Sequence, residues 1–199
     1  MKTHKKLSKG FTLTELMLAM GFLAFVLLFI VTAMVQYMNI YSKGVVMKDI
    51  NQAGRTAFEE ITRNVRINSA NVRQMLNGRL CAGSQAYIWN TESTQNKYTT
   101  GERIEGLIRV PDSAGELCAA DAAGGLAPVS RANEAVIAGA AVGVQSFSAR
   151  KSDGLYELSL TLSTVGDNKP INGTNECPPG KAGEYCAVAT FSTMVAARN

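Results

Sequence analysis

The sequence predicts an α+β fold, with one long N-terminal α-helix packed on an antiparallel β-sheet head. Three observations carry this. No proline occurs before Pro111, so nothing in the first half of the chain forces a helix to end. Apolar residues in that half form first an uncharged run and then a series at three- and four-residue steps. From Cys81 onward Gly, Ser, Thr and Asn become frequent, and short stretches alternate apolar with polar.

The chain begins with a basic segment. Lys2, Lys5, Lys6 and Lys9 stand in the first ten residues, with no acid among them. Gly10 and Phe11 follow, then Thr12, Leu13, Thr14 and Glu15. The next 20 residues, Leu16 to Val35, carry no charge. As a helix they span about 30 Å, the thickness of a bilayer hydrocarbon core. Positive charge ahead of such a run predicts that the rest of the chain lies across the membrane from the leader. Glu15, at the edge of the run, is the anomaly. A carboxylate in a membrane helix costs about 2–3 kcal/mol near the centre and less at the ends, so it calls for a partner. Thr12 and Thr14 read as helix-start residues, because their hydroxyls can bond the backbone.

The charge balance follows from the leader. The formal net charge is +4, but four of the 20 basic residues lie in the first ten positions, leaving 16 basic against 16 acidic residues. The basic balance is therefore a membrane-orientation signal and gives no support for nucleic-acid binding. The only histidine, His4, is also in the leader. The remainder cannot run a His-dependent triad or offer a His-based metal site.

Beyond the apolar run, residues 36–68 read as an amphipathic continuation of the helix. Met47, Ile50, Ala57, Phe58, Ile61 and Val65 form the apolar stripe, with Lys48, Asp49, Glu59, Glu60 and Arg63 between them. One helix from about Phe11 to about Asn68 would be roughly 85 Å long. Gly44 and Gly54 read as weak points, each costing up to about 1 kcal/mol relative to alanine.

Residues 69–199 are expected to form the β-rich head. Arg103–Val110 alternates partially and ends at the Pro111-Asp112 turn signal. Ala119–Ala127 is small, Gly-rich and loop-like. Val142–Arg150 and Leu155–Ser163 read as a hairpin turning at Lys151-Ser152-Asp153-Gly154. Gly166–Gly183 is rich in Pro, Gly and Asn, and Ala187–Val195 reads as a last strand. Trp89, between Ile88 and Asn90, is expected in the core. Four cysteines, Cys81, Cys118, Cys177 and Cys186, all lie beyond the membrane segment, in an oxidising compartment. They allow three connectivities. The favoured one is a local Cys177–Cys186 loop with a longer Cys81–Cys118 loop. No pair has the C-x-x-C spacing of a redox or zinc motif.

Three further features are weighed against plain readings. Arg55, Arg63, Arg66, Arg73 and Arg79 suggest a DNA-binding stripe, with Arg63, Arg66 and Arg73 on one face if the helix reaches that far. A solvated face balanced by Glu59 and Glu60, or a contact between subunits, is preferred. Gly166 to Glu176 is rich in oxygen donors but lacks the spacing of a calcium loop. Asn172-Gly173-Thr174 fits a glycosylation acceptor and is given no role. No nucleophile–base set, phosphate loop or paired catalytic carboxylates stand out, so no enzyme activity, cofactor or metal is expected.

The stretch Lys9-Gly10-Phe11-Thr12-Leu13-Thr14-Glu15-Leu16 resembles the prepilin signal of type IV pilins and type II secretion pseudopilins. The shared pattern is a short basic leader, Gly then Phe, Glu four residues after the Phe, and about 20 apolar residues. It covers roughly the first 35 residues; the remainder is similar in layout only, and most like the minor pilins of the PilW and J types. The resemblance implies that residues 1–10 are a leader, cut between Gly10 and Phe11 by a prepilin peptidase, and that Phe11 is then N-methylated. Residues 11–35 would stay as a transmembrane and fibre-core helix, and Glu15 would dock the Phe11 amine of a neighbouring subunit. A charge pair in a low-dielectric setting is favoured over two separate charges. Main pilin subunits commonly carry a proline in this helix. The region Phe29-Ile30-Val31-Thr32-Ala33 has none, which points to a minor subunit.

The resemblance further implies a structural subunit of the bacterial inner membrane. It would be single-pass, with its head in the periplasm, and would later be carried into a pilus or pseudopilus that can reach the cell surface. The implied partners are other pilin subunits, the peptidase, the inner-membrane assembly platform and membrane lipid, with nucleic acid a remoter one. The alternative is a single-span, membrane-anchored periplasmic binding or enzymatic domain. An ordinary signal peptide cut near Val31-Thr32-Ala33 is a further plain reading. It leaves the Gly-Phe-Thr-Leu-Thr-Glu pattern without a purpose.

Overall fold

The computed structural model describes residues 10–75, 77–91, 93–119, 127–132, 134–139, 141–166, 169–171, 174–180 and 185–196. It is an α+β chain in which, among the described residues, helix α1, Leu13–Ile67, precedes eight strands. The chain divides into two compact units, residues 1–42 and 43–199.

In the first unit the large apolar side chains of the helix are exposed, from Phe11 and Leu13 through Phe22, Phe25 and Phe29 to Tyr41. Among the described residues α1 is long and apolar enough to cross a membrane. None of its described large apolar side chains is buried. The segment therefore needs an apolar surround, because exposed patches of this extent do not persist in water.

The second unit is built on the last part of α1. Ile50, Gly54, Ala57, Phe58, Ile61 and Val65 form its buried stripe, at the three- and four-residue steps that keep them on one face. Two of the sequence expectations change here. Met47 is exposed. Gly54 joins the stripe as a contact surface: a Cβ on it would lie 2.2 Å from the Phe191 ring and 3.1 Å from Leu162. The glycine lets the helix backbone approach the sheet closely, so it is a packing requirement. Gly44 has no such neighbour.

After a 3-10 turn at Ser69–Asn71 come β1 (Val72–Met75), β2 (Arg79–Ala82), β3 (Gln85–Trp89), β4 (Leu107–Pro111) and β5 (Ala135–Ala138). They form an antiparallel five-stranded meander in sequence order. A second antiparallel sheet holds β6 (Val142–Ser152), β7 (Leu155–Thr164) and β8 (Val188–Ala196). The β6–β7 hairpin turns at Asp153 and Gly154, both at positive φ (49° and 79°), as a two-residue Asp-Gly turn requires.

Side-chain alternation splits the buried residues into two cores. Leu80, Tyr87, Trp89 and Leu107 from the first sheet meet Leu158, Leu160 and Leu162 of β7 and the α1 stripe. Trp89 stacks edge-on against Phe147 at 5.1 Å. Cys81, Ala86, Ile88, Ile108 and Val110 point the other way, into a smaller core with Tyr98, Ile104, Cys118 and Val129. The first sheet is covered on both faces, which removes the apolar–polar alternation from β2 and β3. The strand expected over Arg103–Val110 begins only at Leu107; Arg103 instead bridges Lys97.

Cys81 is joined to Cys118 and Cys177 to Cys186, the connectivity favoured from the sequence. Most of the loop expected at Ala119–Ala127 lies outside the described residues.

Candidate functional site

The helix start is built by Thr12 and Glu15. The Thr12 backbone N–H and hydroxyl both donate to Glu15 Oε2, at 3.0 and 2.8 Å. The Glu15 backbone N–H lies 3.3 Å from Thr12 Oγ1, and Leu16 N–H donates to the Thr12 carbonyl at 3.2 Å. This is a capping box: Thr-x-x-Glu, with each side chain satisfying the other residue's backbone donor. The Thr12 and Thr14 hydroxyls lie 3.2 Å apart. The fourth polar residue between Phe11 and Val35 is Thr32, whose hydroxyl lies 3.1 Å from the Leu28 carbonyl and 2.9 Å from that of Phe29. All four polar side chains of this segment are thus hydrogen-bonded within the helix, as a segment in hydrocarbon requires.

Among the described residues Glu15 consequently has donors but no cation. The two ion pairs among the described residues are Arg109–Glu60 and Arg131–Glu102. Gly10 and Phe11 are exposed, so the Gly10–Phe11 peptide is accessible. The four lysines and His4 lie outside the described residues. The capping role of Glu15 was legible as Thr-x-x-Glu, a pattern separate from the one that marks it for docking.

The head holds two polar clusters that the sequence reading did not single out. At the contact of α1 with the first sheet, Glu60 Oε1 accepts from Arg109 at 2.6 Å. Asn64 donates to the Tyr87 hydroxyl, which lies 3.5 Å from Glu60. Burial pushes the Tyr87 phenol up to about 12, with the Asn64 bond opposing. These residues tie helix to sheet at one level of the core.

The second cluster surrounds Arg79, which is 1% exposed. Its Nε donates to Asn96 Oδ1 at 2.8 Å, and its terminal nitrogens donate to the Leu117 and Ala127 carbonyls at 2.7 Å each. Burial pushes the guanidinium down to about 10, with the nearby Asp112 carboxylate opposing. Arg79 therefore belongs to the inside of the head, and the expectation that placed it with Arg55, Arg63, Arg66 and Arg73 is corrected. Arg73 lies on β1, because α1 ends at Ile67. Arg55, Arg63 and Arg66 remain as an exposed helix stripe with Glu59 among them.

Among the described residues, one set of potential metal ligands converges: Cys81, Asp112 and Cys118 lie within 4.8 Å of one another. Both sulfurs are committed to a disulfide, which leaves a single carboxylate, too few ligands for a metal ion. Asp167, Asn168 and the Asn172-Gly173 part of the acceptor triplet lie outside the described residues. A cleft of about 490 Å³ opens near Asn90, Arg103, Gln145 and Ser163. Gln145 donates to Ser163 Oγ at 2.9 Å, and Asn90 donates to the Asn96 and Ile104 carbonyls, so these groups serve the fold first.

No protein-family model matches the chain, and no curated protein or solved structure is similar to it.

Proposed function

We propose that the chain is a prepilin-type structural subunit, a minor pilin or pseudopilin of a type IV pilus or type II secretion pseudopilus. One observation carries the reading. The Gly10-Phe11 junction opens directly onto the capped start of a helix whose apolar side chains are exposed from Leu13 to Val35 and whose polar side chains over that stretch are bonded internally. Such a helix suits lipid and a bundle of identical helices equally well. Its last part is at the same time the spine of a folded head.

The mechanism is assembly. Cleavage after Gly10 creates a cationic amine on Phe11, next to the capping box. Glu15 keeps its two intrachain donors and still has lone pairs free to accept that amine from a neighbouring subunit. The pairing would set the stagger of subunits, and the head would present its strands and loops outward. Mass spectrometry of the mature N-terminus is the test. A start at methylated Phe11 supports the reading; an intact Met1 or a start near Ala33 sinks it.

The capping box also favours a second reading. It gives Glu15 a complete role within one chain, so a plain single-span anchor carrying a periplasmic binding domain needs no docking step. The two readings differ in whether the charge of Glu15 matters.

A further inference from the structure

Asp112, the residue after β4, carries a carboxylate inside the head and is 8% exposed. Its backbone is pinned: the Asp112 N–H donates to the Ser84 carbonyl at 2.8 Å, and the Gly115 N–H donates to the Asp112 carbonyl at 3.3 Å. Its side chain is not. Among the described residues Asp112 Oδ2 is buried without a hydrogen-bond partner. A buried carboxylate oxygen with no donor is costly, so the position calls for a state in which that oxygen is engaged.

Two neighbouring groups supply one. A carboxylate oxygen of Asp112 and the sulfurs of Cys81 and Cys118 all lie within 4.8 Å of one another, and both cysteines are buried. While the disulfide is closed, the sulfurs have neither a proton to donate nor a charge to offer a metal ion. Once it is opened, the same atoms are two thiols facing a carboxylate. A tetrahedral zinc ion, with Zn–S of about 2.3 Å and Zn–O of about 2.0 Å, holds its ligand atoms about 3.5–3.8 Å apart. The sulfurs need only part from bonding distance to that range.

Charge favours a divalent ion. The buried Arg79 guanidinium donates to three neutral oxygens, of Asn96, Leu117 and Ala127, and has the Asp112 carboxylate as a nearby counter-charge. With the disulfide closed this pair is neutral. Two bare thiolates would add two negative charges to a buried site, which is strongly disfavoured. A divalent cation cancels them and leaves the cluster neutral again. The mixed sulfur and oxygen set suits zinc, whereas copper(I) and calcium each fit only part of it.

We propose that Cys81, Cys118 and Asp112 form a zinc site in the reduced chain, with water as the fourth ligand, so that this part of the head has two alternative closures, a disulfide and a metal ion. A dithiol reductant opens the disulfide: two electrons and two protons pass to the sulfurs, and the reductant becomes a disulfide. Zinc then displaces the two thiol protons to solvent, with no change of oxidation state. A disulfide-bonded chain begins as thiols. The ion holds Cys81 and Cys118 together, away from Cys177 and Cys186, until an oxidant closes the pair. The inference does not depend on the fibre reading.

The test uses the full chain in detergent with Cys177→Ser and Cys186→Ser, reduced with a phosphine and titrated with Co2+ and then Zn2+. Co2+ should give sulfur-to-metal charge-transfer absorbance that saturates at one ion per chain, and Zn2+ should remove it. Cys81→Ser should abolish it. Asp112→Asn keeps both thiols and should weaken zinc by about 100-fold against a chelator, the upper end of what an outer-shell partner alone is worth. Asp112→Cys supplies a ligand again and should bind at least as tightly as the parent. Trp89, the only tryptophan and part of the core, reports the fold by near-ultraviolet dichroism. If reduction unfolds the chain, zinc should restore that signal in the parent and in Asp112→Cys, because binding and folding are then one event. Absence of the charge-transfer band, an unchanged zinc affinity in Asp112→Asn, or equal uptake by the oxidised chain overturns the proposal.

Discussion

Thr12 and Glu15 cap each other: the Thr12 N–H and hydroxyl both reach Glu15 Oε2, and the Glu15 N–H turns back to the Thr12 hydroxyl. The acid that marks the resemblance to the prepilin signal is therefore also the residue that starts the helix. Two substitutions separate these roles. Glu15→Gln keeps an oxygen for the cap but has no charge; Glu15→Ala removes both, and a lost cap costs about 0.5–2 kcal/mol. If docking of a charged amine drives assembly, both variants should be cleaved after Gly10 and both should be absent from purified fibres. Normal incorporation of Glu15→Gln would show that the cap alone matters.

Gly54 and Gly44 should respond in opposite directions to alanine. At Gly54 the new methyl meets the Phe191 ring. Overpacking of this kind costs about 1–3 kcal/mol, against a gain in helix propensity of about 1 kcal/mol. At Gly44 nothing stands within 4 Å, so Gly44→Ala should only gain. Urea unfolding of the full chain in detergent should show Gly54→Ala destabilised, Gly44→Ala unchanged or up to about 1 kcal/mol more stable, and Gly54→Ala partly restored in a Phe191→Leu background.

Tyr87 and Tyr98 should make the head sensitive to alkali. Burial raises both phenols to about 12, with the Glu134 hydrogen bond adding to the rise at Tyr98. The folded chain then holds protons that the unfolded chain releases near pH 10. Stability is intact below about pH 10 and falls as the pH climbs towards 12. The late-ionising part of the tyrosinate absorbance should lose one phenol in Tyr87→Phe and one in Tyr98→Phe. Ionisation of either at pH 10 in the folded chain would contradict the burial.

The two disulfides should differ in what they contribute. Cys81–Cys118 spans 37 residues and Cys177–Cys186 spans 9. On the chain-entropy model the longer loop contributes about 4 kcal/mol and the shorter about 3 kcal/mol. Paired serine substitutions, followed by denaturant unfolding, should rank in that order. The first pair should cost more than loop length alone implies, because Cys118 adjoins Leu117, whose carbonyl accepts from the buried Arg79.

The parts of the fold that could be read from sequence share a cause: one face of each meets a different environment from the other. The α1 stripe, the β6–β7 hairpin and β8 carry their periodicity because apolar residues recur on the side that faces the main core and mostly polar ones stand on the other. β1, β2, β3 and β5 carry no such local signal. Residues 79–82 of β2 are buried without a break, and most of β3 is as well, so neither alternates. Their cover comes from residues far along the chain, such as Ile104, Cys118 and Val129, and no local pattern announces it. The burial of Arg79 is hidden for the same reason. A guanidinium in sequence looks like surface charge, and only the folded loops bring the Asn96, Leu117 and Ala127 oxygens to it.

The sequence by itself determined what depends on neighbours a few residues away. It specified an apolar helix long enough for a membrane, the basic residues before it, the Thr-x-x-Glu start, the helix stripe and the Asp-Gly hairpin. Each is a local property, because hydrogen bonds at three or four residues and side-chain periods of 3.6 and 2 are written in adjacent positions. Tertiary structure decided what depends on distant segments meeting. It turned Gly54 from a helix defect into the contact with Phe191 and placed Arg79 inside the head. Those outcomes depend on close packing between distant segments, which is not recorded in any short stretch of the chain.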